Sequence, residues 1–429
     1  MSEQKSEKCT LVPPLRFPEF REAGEWALNN LGDLSAVVRG GSPRPIDGFL
    51  TTAANGLNWL KIGDVDKEAK YVASTEEKVR PEALNKTRVV NPGDLILSNS
   101  MSFGRPYLMK IKSCIHDGWI AITELNKRVS REYLYYLIFS PISQAYFLRN
   151  AAGTGVLNLN AEIIRALPVA YPSSREQQKI ADCLTSLDEL LTAENQKLNT
   201  LNTQKKGLMQ QLFPRDGETT PRFRFPEFQD ADEWEPTTVG QIADFKSGGT
   251  PSKENSAFWG GSIPWASAKD MKQLFLDDTE DHITTAAVED GAKQVPAGVI
   301  LILTRGMTLL KDIPISVPTQ QMSFNQDVKA LQPKRNFDGR FIAYLLLGCK
   351  QQLLSLVDVA GHGTGRLDTD KLKAFDVMLP QLAEQQRIAD CLFSFEEIIA
   401  VQSQRIDALK THKKALMQQL FPRLDEAQR

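Results

Sequence analysis

A string of eleven residues occurs twice in this chain with a single position changed. KKGLMQQLFPR runs from Lys205 to Arg215 and KKALMQQLFPR from Lys413 to Arg423, an offset of 208 positions in a chain of 429. The same offset relates RFPEF at Arg16–Phe20 to Arg224–Phe228, and Glu25-Trp26 to Glu233-Trp234. It also relates Gly40-Gly41-Ser42-Pro43 to Gly248-Gly249-Thr250-Pro251, and EQQKIADCL at Glu176–Leu184 to EQQRIADCL at Glu384–Leu392. Gly153-Thr154-Gly155 returns as Gly363-Thr364-Gly365, at an offset of 210. A period this long is a duplicated domain with its following segment, not a solenoid unit. Similarity is uneven within the repeat. The segments after each globular part match almost residue for residue, whereas interiors such as WLKIGDVDKEAKYV and WASAKDMKQLFLDD differ. Two halves therefore share a scaffold and carry different surfaces, which suits one kind of task performed on two targets.

The matching segments read as long helices. Apolar residues at Ile180, Leu184, Leu187, Leu191, Leu198, Leu201, Leu208 and Leu212 follow the alternating steps of a heptad seam, interrupted by Glu194 and Lys205. The second copy places Ile388, Leu392, Phe395, Ile399, Ile406, Leu409, Leu416 and Leu420 on its seam, interrupted by Gln402 and Lys413. Pro172 and Pro380 precede the helices, and Pro214 and Pro422 end them. About 37 residues at 1.5 Å rise make a rod of roughly 55 Å. An unpaired apolar seam recruits a partner, and two matching seams in one chain suit each other. If a pseudo-twofold axis crosses the rods, they run antiparallel. Lys205 then faces Glu396 or Glu397, and Lys413 faces Asp188 or Glu189. The alternative is that each rod packs separately on its own globular domain. The linker Arg215–Phe228 would be rebuilt by joining Arg423–Arg429 to Met1–Phe20, so the chain reads as a ring opened at one of two equivalent joints, with its termini close together.

Each globular part spans about 150 residues, a normal domain size. RVVNPGDLILS (Arg88–Ser98) and QVPAGVILILT (Gln294–Thr304) are turn-then-strand signals, followed by helical stretches at Glu132–Phe139 and Gly339–Leu347. These are mixed α/β domains of the α+β kind. No β-α-β alternation implies a doubly wound sheet.

Enzyme signatures are missing. The sequence has no phosphate-cradling G-x-x-x-x-G-K-[ST], no H-E-x-x-H and no G-x-S-x-G. His116, His282, His362 and His412 are dispersed, which argues against a zinc cluster. Cys9, Cys114, Cys183, Cys349 and Cys391 form no close Cys-x-x-Cys pair and read as reduced packing residues. No apolar run reaches the roughly 20 residues needed to cross a bilayer, and the polar start lacks a signal peptide, so the cytoplasm is the expected compartment.

The loops offer the chemistry of nucleic-acid readers. VRGGSPRP places Arg39, Gly40, Gly41, Ser42 and Arg44 together, and KSGGTPSK does the same with Lys246, Gly248, Gly249, Thr250 and Lys253. Glycines there let a backbone approach a phosphate or a groove closely; the plainer reading of each loop is an ordinary turn. SNSMSFGR supplies Ser98, Asn99, Ser100 and Arg105, and LTRGMT supplies Thr304 and Arg305. Asn325 and Gln326 suit adenine edges, as Arg suits guanine, though capping is an alternative for Asn325 and Gln326. Lys61 and Lys269 lie in the divergent interiors. Arg366, after Thr364 and Gly365, stands where the first half has Val156, a candidate difference in target preference.

Charge separates the halves. Residues 15–171 carry 19 basic against 16 acidic side chains, a net of +3, and residues 223–379 carry 16 against 21, a net of −5. The whole chain is at −2. The second half cannot hold a polyanion by bulk charge and needs a local basic patch or a partner's phosphate clamp.

Taken together, RFPEF…EW, GG[ST]P, GTG, EQQ[KR]IADCL and KK[GA]LMQQLFP, each present twice in the same order, resemble the specificity subunit of Type I restriction-modification enzymes over the whole chain. That resemblance implies two target-recognition domains, each reading one half of a split site in double-stranded DNA. It implies two helices paired as an antiparallel spacer in a pseudo-twofold, circular arrangement. It further implies docking of two modification (methyltransferase) subunits, and restriction subunits that translocate and cut. Catalysis is expected elsewhere: S-adenosylmethionine, ATP and magnesium belong to partner subunits, and no cofactor, metal or membrane to this one. On this reading residues 1–20 are an N-terminal extension, 21–171 the first recognition domain, 172–214 the first helical spacer, 215–379 the second recognition domain and 380–429 the second spacer. The alternatives are a regulatory or decoy DNA-binding protein without methyltransferase partners, a coiled-coil scaffold with protein-binding heads, and a self-contained nuclease with remote carboxylates.

Overall fold

The structure is a computed structural model describing residues 11–99, 103–151, 158–215, 217–360 and 363–423. Cys9, Ser100, the Gly153-Thr154-Gly155 element, Val156, His362 and both chain ends lie outside them. The chain divides into two compact units, residues 1–195 with 404–429 and residues 196–403. The helices thus form no separate third body: each gives its first part to one unit and its second part to the other.

The two units are built alike. In the first, a five-stranded sheet runs in the order Ala36–Arg39, Trp119–Thr123, Leu95–Ser98, Pro106–Met109, Tyr71–Val72. A four-stranded sheet runs Glu77–Val79, Leu57–Leu60, Ser113–Ile115, Arg88–Val90. The second unit repeats both orders, with Ala243–Ser247, Val328–Pro333, Ile300–Leu303, Ile315–Pro318, Phe275–Leu276 and with His282–Ile283, Trp259–Ala266, Met322–Phe324, Gln294–Val295. Each sheet is antiparallel except for one parallel pairing, such as Trp59–Leu60 beside Cys114–Ile115. This is the mixed α/β class expected. The segment Arg88–Ser98, however, is not one turn and one strand. Gly93 at φ +91° and the Asn91 N–H on the Asp94 carboxylate at 2.8 Å make a sharp turn, so Arg88–Val90 joins one sheet and Leu95–Ser98 the other.

A short helix covers each five-stranded sheet, Arg131–Phe139 in the first unit and Gly339–Gly348 in the second. The Ser130 and Asp338 side chains cap them by accepting from Tyr133 N at 3.2 Å and Phe341 N at 2.9 Å. Trp26 and Trp234 are buried edge-on against Tyr133 and Phe341.

The long helices run Ser174–Leu212 and Leu382–Leu420. All the seam residues are buried or half-buried, with Ile180, Leu184, Leu212, Ile388, Leu392, Ile406 and Leu420 wholly inside. In the first unit Lys413 pairs with Asp188 and Arg405 with Glu194 at 2.9 Å. One index rises as the other falls, so the helix segments are antiparallel. In the second unit Lys205 pairs with Glu396. These are the charge pairings expected from the seam residues, and Arg405 supplies the partner of the buried seam carboxylate Glu194.

The repeated strings now have a physical role. Phe421, at the end of the second helix, inserts beside Tyr133 of the first unit, and Phe213, at the end of the first helix, beside Phe341 and Trp234 of the second. The buried Glu176 carboxylate accepts from Arg16 Nε and Nη2, both at 2.7 Å, and Glu384 holds Arg224 in the same way at 2.8 and 2.7 Å. The Leu15 N–H donates to Gln419 O and the Phe223 N–H to Gln211 O, both at 3.0 Å. The segment before the first domain therefore meets the second helix as the linker meets the first, which is the circular arrangement. Among the described residues no helix is long and apolar enough to cross a membrane.

Candidate nucleic-acid interface

The loop after each first sheet strand is pinned to the tip of a neighbouring strand. In the first unit Ser42 Oγ donates to Asp117 Oδ1 at 2.8 Å, Arg39 Nε donates to the Asp117 carbonyl at 2.9 Å, and Asn99 Nδ2 reaches the same carbonyl at 3.2 Å. The Arg44 guanidinium, almost fully exposed, lies 3.7 Å from Asp117 Oδ2. Candidate residues from two distant segments thus converge on one residue that sequence reasoning missed. Its one sequence signal is the Asp117-Gly118 turn dipeptide. Burial pushes the Asp117 carboxyl up, but the Ser42 hydrogen bond and the charges of His116, Arg39 and Arg44 outweigh it and hold the pKa below the usual aspartate range.

The second unit builds the same joint with different chemistry. Thr250 Oγ1 donates to Gln326 Oε1, and strand register makes Gln326 the counterpart of Asp117. Asn325 is nearly buried and turns inward, accepting from Asp327 N at 3.1 Å, while Thr304 Oγ1 donates to Asp327 O at 3.0 Å. Both are local braces in this geometry, and Ser98 is wholly buried.

The glycine pairs have a structural cause. A Cβ on Gly40 would stand 2.1 Å from His116 O, and one on Gly248 would stand 2.2 Å from Asn325 O. The close approach at these two positions is to the protein's own backbone rather than to a phosphate. Gly41 is confined by Lys86 O at 2.9 Å, whereas Gly249 faces open space.

The basic candidates divide by their partners. Lys61 pairs with Glu77 at 2.8 Å, and Lys269 with Asp281 at 2.9 Å and Glu280 at 3.3 Å, so both are charge-compensated. Arg105 is half-buried with its guanidinium over the Phe139 ring, 4.9 Å from the centroid. Arg39, Lys246, Lys253 and Arg305 are exposed and form no ion pair among the described residues. A small third sheet of the second unit joins Arg305–Gly306, Thr364–Leu367 and Val357–Ala360, and its register sets Arg305 directly opposite Arg366. Thr364 is half-buried at one end of that ribbon.

Comparison with known proteins agrees with this layout. Residues 24–203 and 231–411 each match the Type I restriction modification DNA specificity domain. The chain is 32% identical over 245 residues to the EcoR124I/EcoR124II specificity subunit of Escherichia coli, a match spanning 54% of this chain and 56%, about half, of that protein. It is 22% identical over 444 positions to the MjaVIII specificity subunit of Methanocaldococcus jannaschii, covering 97% of this chain and 96% of the other. The fold is shared with the solved Type I restriction-modification S subunit of M. genitalium, with a TM-score of 0.58, 14% identity, and coverage of 96% and 100%. A chain solved in work on assembly and conformational transition of the type I R-M system gives 0.59 at 17% identity, covering 93% and 98%. With two tandem specificity domains accounting for most of its length, the chain belongs to the Type I restriction-modification DNA specificity family.

Proposed function

We propose that this chain reads a bipartite site in double-stranded DNA for a Type I restriction-modification complex, each globular domain recognising one half-site. The observation that carries this reading is the equivalent loop joint of the two units, with one scaffold and different side chains: Ser42 on Asp117 in one, Thr250 on Gln326 in the other. Around these joints stand exposed Arg39 and Arg44 in the first unit, and Lys246 and Lys253 in the second. The paired helices, each 39 residues or about 58 Å long, set the separation of the half-sites. Their outward face, with Ile398 and Val401 exposed, supports docking of two modification subunits, joined by restriction subunits. In this scheme the chain is not catalytic; S-adenosylmethionine, ATP and magnesium act on the partner subunits, and the complex works in the cytoplasm.

The test is an exchange of residues 21–171 for the corresponding domain of a relative, followed by single-molecule mapping of methylated adenine in the host genome. One half of the recognised site should change and the other should persist. Change in both halves, or in neither, would remove the two-reader reading.

A further inference from the structure

The second domain carries a net −5, yet on the proposed reading it must meet a polyanion. Its third sheet shows where the repulsion is overcome. Arg305 and Arg366 are cross-strand partners in an antiparallel register, so their side chains leave the same face of the ribbon. The opposite face is closed: Gly365 and Leu367 are buried, and a Cβ on Gly365 would meet Leu309 Cβ at 2.7 Å. Like charges set directly across a ladder destabilise it. Carboxylates do little to relieve this pair. Asp358 is next in the row, opposite Arg366, but its carboxylate is taken by Lys371 at 2.8 and 2.9 Å. Asp368 approaches Arg366 only to 3.6 Å, and the Arg366 side chain is 69% exposed. Arg305 has no ion pair among the described residues. Beside the pair, Met307 is 75% exposed, an apolar neighbour suited to a thymine methyl and not to a phosphate.

We infer that Arg305 and Arg366 form a two-guanidinium fork that reads guanine edges in the major groove of the second half-site. The unfavourable opposition of the two cations is released only when base acceptors lie between or beside them. Arg is the side chain that pairs bidentately with guanine O6 and N7. The inference rests on the DNA-reading function proposed above and names the element and the base class by which the second domain performs it.

The experiment uses the full chain assembled with its modification subunits and a pool of random-sequence duplex DNA. Wild type, Arg305→Gln, Arg366→Gln and Arg305→Lys are each taken through selection, and thermal unfolding of each is recorded. Wild type should select a split consensus with guanine in one half. All three substitutions should relax that guanine, weakening binding to the wild-type consensus about 5- to 150-fold, and leave the other half intact. Arg305→Lys keeps the charge and loses the fork, so it must relax the guanine as well. Arg366→Gln should unfold at or above the wild-type temperature, because it removes a like-charge opposition. An unchanged consensus with uniformly weaker binding would make the pair a phosphate clamp and overturn the inference. So would a fall in melting temperature with Arg366→Gln. If wild type selects no consensus at all, the function proposed above fails first, and this inference goes with it.

Discussion

Glu176 grips Arg16 through two 2.7 Å hydrogen bonds across 160 residues of chain, and both side chains are almost wholly buried. The other guanidinium nitrogen, Nη1, donates to Ala23 O at 2.6 Å and Gly24 O at 3.1 Å. The pair therefore ties the RFPEF segment and the turn after it to the first turns of the long helix. Removing the acid alone, as in Glu176→Ala, strands a buried cation and is expected to cost about 3–5 kcal/mol. Replacing both as Arg16→Met with Glu176→Leu should recover most of that loss. Urea unfolding of the two variants measures the difference; equal losses would show that the carboxylate does not compensate the cation.

Lys205 and Glu396 are both less than one-fifth exposed on the helix pair. Either reversal alone, Lys205→Glu or Glu396→Lys, sets like charges together and is expected to cost about 1–3 kcal/mol. The double reversal should return to near the wild-type stability. A double-mutant cycle by chemical denaturation checks this, with a coupling energy near zero as the adverse result.

Gly248 and Gly249 are neighbours with opposite tolerances. A methyl group at Gly248 meets the Asn325 carbonyl at 2.2 Å and must displace the loop, whereas one at Gly249 meets nothing within 4 Å. Gly248→Ala should lose about 1–3 kcal/mol of stability and weaken DNA binding, while Gly249→Ala should lose less than about 0.5 kcal/mol. Comparable unfolding midpoints for the two would contradict the packing described for this joint.

Lys70 is half-buried between the helices Arg131–Phe139 and Ser174–Leu212, donating to Tyr136 Oη and Thr185 Oγ1, both at 3.0 Å. Burial lowers its pKa, partly offset by Asp188. The unfolded chain then holds the proton more tightly than the folded one. The penalty is full below the folded pKa and fades as pH rises from there toward the free lysine value. The counterparts of Lys70 and Thr185 in the second unit are Leu274 and Phe393. Lys70→Leu with Thr185→Phe should therefore stabilise the protein by about 1 kcal/mol at neutral pH, with the gain shrinking in alkaline solution. Melting curves from pH 7 to 10.5 test the sign; a gain that grows with pH would reverse the assignment.

The helix pair was legible in the sequence because heptad spacing and seam charges are local patterns repeated twice. Lys205 could be assigned to Glu396 or its neighbour from symmetry alone. The loop chemistry was less legible, because its partners come from elsewhere in the chain. Nothing near Ser42 announces Asp117, which is brought in by a turn between strands 75 residues away. Gly40 and Gly248 resemble phosphate-approach glycines in the sequence, and only the fold shows a carbonyl of the same chain in that space. Arg105 reads as a base-contacting arginine until its packing on Phe139 is seen, and Lys61 and Lys269 until their acidic neighbours are. The opposition of Arg305 and Arg366 needs strand register, which a two-residue strand does not encode by itself.

The two 39-residue helices are split between the compact units, so neither unit owns a complete set of its own walls. Phe213 closes the core of the domain that follows it, and Phe421 closes the core of the domain at the other end of the sequence. Loss of order in one helix withdraws a wall from both halves at once. The duplicated architecture thus gives every substitution in a helix a second address: a change before Asn195 or Ser403 acts in one compact unit, and a change after it acts in the other.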